Sequence, residues 1–139
     1  MRTPAPFVLV AVVALAACGG GGSKGSVGGT LPSCATAGAP VQLPPELAKF
    51  PLPEGGVVDK TRKDAAGNTI YEGVVPGDIG ATRDFYKAEL PRRGYKLGRG
   101  DSEEHEAEAD FSGRGADAHF KLHDISGCDG ALKLEVALR

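Results

Sequence analysis

From Ala131 to Leu138 the chain alternates, with Leu132, Leu134, Val136 and Leu138 on one side and Lys133, Glu135 and Ala137 on the other. A period of two predicts a half-buried strand. The same alternation runs through Ala118 to Asp124, where Phe120 and Leu122 share a side, and through His105 to Phe111, where Ala107, Ala109 and Phe111 do. Tyr95 to Arg99 is a shorter β-compatible run. Upstream, Val57 to Lys63 and Thr69 to Val75 flank Asp64-Ala65-Ala66-Gly67-Asn68, whose Gly and Asn suit the positive φ angles of a tight turn, so the two runs read as a hairpin.

Between these β runs the pattern changes. Pro76-Gly77-Asp78 breaks the hairpin, Asp78 is a good N-cap, and a helix is predicted from Ile79 into Arg93 with Gly94 at C′. Ala81, Phe85, Tyr86, Glu89 and Leu90 are expected on its inner side, and Pro91 should kink or shorten the last turn. Four prolines between Leu43 and Pro53 forbid a long helix or a central strand there. That stretch reads as an extended arm with at most one helical turn, its Leu47, Phe50 and Leu52 tucked against the core. Together these elements predict an α+β fold, an antiparallel sheet of about five to six strands with one helix on one face, in the order ββαββββ.

The first residues carry a different signal. Arg2 precedes an apolar run from Phe7 to Ala17, which is shorter than the roughly 18 residues a spanning helix needs and matches a secretory leader. The run ends in Leu15-Ala16-Ala17-Cys18, which resembles the lipobox of bacterial lipoproteins. The resemblance covers 18 residues and implies that a diacylglycerol is attached to the Cys18 thiol and that the peptide is cut just before it; an ordinary signal cleaved near Ala17 is the alternative. The expected organisation is therefore residues 1–17 as signal peptide, 18–33 as lipidated Cys18 with a Gly/Ser-rich tether, and 34–139 as one α+β domain. Several acyl chains on one cysteine hold a protein on a bilayer durably, each buried methylene contributing about 0.8 kcal/mol.

With Cys18 assigned to lipid, Cys34 and Cys128 remain, in a chain expected to reach an oxidising compartment. They are expected to pair, closing a loop whose chain-entropy contribution is roughly 4 to 5 kcal/mol. Unpaired or metal-binding thiols are the alternative, without a C-x-x-C spacing to favour them. The 16 basic residues are outnumbered by 18 acidic ones, and no run of Lys and Arg stands out in the sequence, which argues against nucleic acid and anionic headgroups as partners.

Glu104, Glu106, Glu108 and Asp110 recur at period two, and a hairpin turning at Ser112-Gly113-Arg114-Gly115 would set them beside His119, Lys121 and His123. The reading is a solvated face of cross-strand ion pairs. A zinc or calcium site is the sharper alternative, but residues two apart on a strand are about 6.8 Å from each other, so one ion reaches few of them. No metal site and no cofactor are therefore assigned. No nucleophile elbow, His-Glu-x-x-His or phosphate loop occurs, and no catalytic residue is assigned. Arg99-Gly100-Asp101 is expected in a turn between two strands.

Pro51-Leu52-Pro53 ahead of the hairpin, Asp84-Phe85-Tyr86, Leu90 and Gly94-Tyr95 look like a pattern of small, mostly uncharacterised bacterial lipoproteins. The likeness spans Pro51 to Tyr95 and implies a shared fold more than a shared activity. The expected function is a non-enzymatic binding or envelope-associated module, lipid-anchored on the extracytoplasmic side of the cell membrane or outer membrane. Its partners would be the membrane, through the anchor, and an envelope protein. A metal-dependent or hydrolytic enzyme with an unrecognised site is the alternative.

Overall fold

In the computed structural model residues 25–139 are described; the expected leader and Cys18 lie outside them. Strands β1 (Val57–Lys63), β2 (Thr69–Pro76), β3 (Lys96–Ser102), β4 (Glu106–Gly113), β5 (Ala116–Asp124) and β6 (Ala131–Leu138) form one antiparallel sheet, and helix α1 (Ile79–Arg92) joins β2 to β3. The spatial order is β1-β2-β6-β5-β4-β3. After the first hairpin the chain crosses the sheet through α1 to the far edge, then meanders back until β6 closes against β2. The α+β class and the element order agree with the sequence pattern.

Period two sorts the strands into faces. Ala107, Leu122, Leu134 and Gly73 lie in one cross-strand row, and Ala109, Phe120, Val136 and Tyr71 in the next. These rows are covered by α1, whose Ile79, Thr82, Tyr86 and Leu90 are buried. The buried stripe is thus set beside the expected one. Ala81, Phe85 and Glu89 are only half-buried, because the helix turns Thr82 inward where Gly77 leaves it room; a Cβ at Gly77 would come within 2.6 Å of Thr82 Oγ1. Tyr86 stacks between Phe50 and Phe120, with ring centroids 5.3 and 4.8 Å away, so the largest aromatic of the helix joins the arm to the sheet.

Both helix ends are closed as the sequence indicates. The Asp78 carboxylate accepts from Ala81 N–H at 2.9 Å, and Gly94 at φ +87° lets Tyr95 N–H reach Leu90 O and Gly94 N–H reach Pro91 O, a Schellman ending. Pro91 sits in the final turn, one residue before the helix stops. Of the Pro51 to Tyr95 pattern, Pro51, Pro53, Tyr86, Leu90 and Tyr95 are buried, which gives those positions a packing role.

The arm contains one 3-10 turn, Pro45–Leu47, and buries Leu47 and Phe50 on the helix-bearing side of the sheet. Tyr95 Oη donates to Glu46 O at 2.9 Å and ties the arm to the end of α1. Cys34 and Cys128 form a disulfide with Cα atoms 5.5 Å apart. Of the segment expected as a free tether, residues 25–29 lie against the domain: Val27 bridges Gly77, Gly28 N–H reaches Pro76 O, and Gly29 N–H reaches Glu54 O. Backbone pairing needs no apolar side chain, so a Gly-rich composition did not reveal it.

Candidate functional site

The face of the sheet turned away from α1 is the most organised polar surface among the described residues. The hairpin that builds it turns at Arg114 and Gly115, with φ angles of 55° and 84°, the signs a two-residue primed turn needs. That turn fixes the register: Glu106 stands opposite His123, Glu108 opposite Lys121 and Asp110 opposite His119. The expected acidic and basic rows are therefore adjacent.

The pairs are close and shared. Lys121 Nζ lies 2.7 Å from Glu106 and 3.5 Å from Glu108, and His123 Nδ1 lies 3.1 Å from Glu106. His119 is bracketed, with Nδ1 3.0 Å from Asp110 and Nε2 3.3 Å from Glu108. Both contacts are hydrogen bonds only when both ring nitrogens carry protons. Arg139 reaches Asp110 at 3.0 Å from the C-terminus. The network continues into β6, β2 and β1, where Lys133 meets Glu135 at 2.7 Å and Arg62 meets Glu72 at 2.5 Å. The surface thus carries ion pairs of both signs across five strands, with Glu72 beside Glu135 and His123 beside Lys133.

These contacts move protonation equilibria. The hydrogen bond from His119, with Arg139 adding to it, holds the Asp110 carboxyl below the usual carboxylate range despite some desolvation. Hydrogen bonding to Glu106 pushes the Lys121 ammonium up against a smaller opposing effect of burial, and Glu108 adds to the rise.

Two members of the expected arrangement stand elsewhere. Glu103 N–H closes onto Glu106 O at 2.8 Å, so the connection between β3 and β4 occupies Glu103 to His105 and the acidic row begins at Glu106. Glu104 lies outside the strand, and His105, the expected first residue of that strand, also lies outside it and is exposed. His105 Nδ1 pairs with Asp124 at 2.8 Å; that hydrogen bond, with the Glu104 charge, raises its pKa above 6.5. The turn moved because β3 runs on to Ser102. Arg99-Gly100-Asp101 consequently lies inside an edge strand and not in the expected turn. A bulge between Leu97 and Gly100 accommodates it, and Gly100 is needed there because a Cβ would come within 2.5 Å of Glu108 O.

A cleft of about 220 Å³ opens between α1 and β3, with Arg83 and Lys87 on its rim and Leu97, Gly98, Ala109 and Phe120 among its lining. That is below the roughly 300 to 1,000 Å³ of typical small-molecule sites. A larger depression of about 530 Å³, at the end where Val27 bridges Gly77, is lined mainly by loop residues around Cys128, with Asp78, Asp124 and His105. Among the described residues no set of three His, Cys, Asp or Glu side chains has the geometry to hold a metal ion. No described helix is long and apolar enough to cross a membrane. Compared with protein-family models, with curated proteins and with solved structures, the chain matches none.

Proposed function

We propose that the protein is a lipid-anchored, extracytoplasmic, non-enzymatic module that binds a component of the cell envelope through its open sheet face. The observation that carries this reading is the ion-paired face. Glu106, Glu108 and Asp110 with His119, Lys121 and His123 offer a broad surface of both signs in fixed order, suited to a macromolecular partner of complementary pattern. Paired charges hold one another in place, so such a face selects partners by pattern. Cys18, at the end of the lipobox-like run, supplies the anchor in this reading.

Crosslinking and recovery from native membranes tests it, comparing the wild-type chain with a Glu108→Lys, Lys121→Glu double reversal. Specific recovery of one envelope component by the wild type, lost in the reversal, is the expected result. Equal recovery by both would remove the face from the proposal. Fatty-acid labelling of the wild type, absent in Cys18→Ser, tests the anchor separately.

A further inference from the structure

The two edges of the sheet differ. Along β1 the chain leading into the arm supplies partners: Val41 N–H bonds to Val58 O, and Gly38 N–H bonds to the Asp59 carboxylate at the β1 bulge. Along β3 no described segment does so, and of its seven residues only Leu97 is even half-buried. An open edge presents unpaired N–H and C=O groups to any extended chain.

The charges on this edge are ordered. Lys96 and Arg99 come first, then Asp101, Glu103 and Glu104. Lys96, Arg99, Asp101 and Glu103 have no ion-pair partner among the described residues, and Glu104 approaches only its neighbour His105, at 3.9 Å. The bulge keeps the charges together: Lys96 is opposite Ser112 and Asp101 opposite Glu108, both on the open face, and Arg99 borders the same surface beside Asp110 and His119. Gly100 and Ser102, opposite Ala109 and Ala107, leave the helix side of this segment free of bulk.

We propose that β3 pairs antiparallel with β3 of a second copy of this chain about a two-fold axis at Gly100, joining the two sheets into one. In that register Arg99 faces the partner's Asp101, and beyond the bulge, which takes up one residue, Lys96 faces the partner's Glu103. Two-fold symmetry repeats each contact. Centring the pair on Arg99 or on Asp101 would instead put like charges on the axis. Charges and a bulge normally protect an edge from unselected strands. This edge admits a strand whose charges run in the complementary order, and the antiparallel copy of itself has that order.

Sedimentation velocity of the full-length chain in mild detergent, over a concentration series at low and high salt, tests the dimer. The expected result is a monomer–dimer equilibrium that weakens with salt. Arg99→Asp and Asp101→Arg should each raise the dissociation constant by about tenfold or more, since like charges then meet twice. Mixing the two variants should produce a heterodimer, because each supplies the charges the other lacks, and the double variant R99D/D101R should dimerise alone. Circular dichroism checks that each variant is folded. A wild type monomeric at every concentration, a dimer indifferent to both reversals, or folded variants that fail to pair when mixed would each overturn the proposal.

Discussion

The two faces of the sheet are built from the same strands, residue by residue in alternation, and they are held in different ways. On the α1 side Phe120, Leu122, Leu134 and Val136 are buried under the helix and the arm. On the other side Lys121, His123, Lys133 and Glu135 alternate with them in sequence and form ion pairs in water, Lys121 and His123 with Glu106 and Lys133 with Glu135. Burial of a large apolar side chain contributes roughly 1.5 to 3 kcal/mol, whereas an exposed ion pair contributes about 0 to 1 kcal/mol. Stability therefore resides on the covered face. The open face is left to carry pattern, since its substitution costs the fold little.

Releasing the cover should have the largest effect. Reduction of Cys34–Cys128, or Cys128→Ser, frees the arm from the loop after β5, and with a closed loop of 94 residues the expected loss is about 4 to 5 kcal/mol, read by urea denaturation with and without reductant. Phe120→Ala, which empties the contact with Tyr86, should cost roughly 3 to 5 kcal/mol in the same measurement. A smaller loss at both sites would mean that the helix face is not what holds the domain together.

The covered face also contains a polar defect. Tyr86 Oη and Thr82 Oγ1 are buried without a hydrogen-bond partner among the described residues, and desolvation raises the Tyr86 pKa above its ordinary value. Removing an unsatisfied hydroxyl spares its desolvation penalty, so Tyr86→Phe should be neutral or stabilise by up to about 1 kcal/mol. A clear loss of melting temperature would mean that the hydroxyl has a partner, such as an internal water.

On the open face the expected effects are smaller. A double-mutant cycle on Glu106 and Lys121 should return a coupling of roughly 0.2 to 1 kcal/mol. The smallest perturbation is protonation. His105, raised above 6.5 by Asp124, contributes stability that is present below its unfolded pKa and lost as pH rises through the folded value. Asp110 runs the other way: its depressed pKa contributes stability that is present above 3.8 and lost as pH falls through the lower, folded value. NMR titration should place the His105 midpoint above 6.5, and Asp124→Asn should move it back down; an unmoved midpoint would refute the pairing.

The covered face was the more legible of the two. Val57–Lys63, read as a β-rich run ahead of a turn, and Ala131–Leu138, read from its alternation, have the expected bounds, and the ends of the helix follow from Asp78 and Gly94. Less legible was the helix stripe: Phe85 is the more apolar side chain, yet Thr82 is the one buried, because Gly77 leaves room for it. On the candidate face the adjacency of an acidic and a basic row followed from period two; the individual partnerships did not, because the chain turns at Arg114-Gly115 alone and not over Ser112 to Gly115. Nor did the loss of Glu104 and His105 from the strand, because a bulge in one strand moves the turn that follows it.

Local order along the chain determined what depends on neighbours: which segments become strands or helix, where they stop, and which side of each is apolar. Tertiary structure alone decided the strand order, the docking of residues 25–29, and the contrast between a β1 edge covered by the chain leading into the arm and a bare β3. These features depend on backbone groups meeting across long sequence separations, and backbone hydrogen bonds leave almost no trace in side-chain pattern.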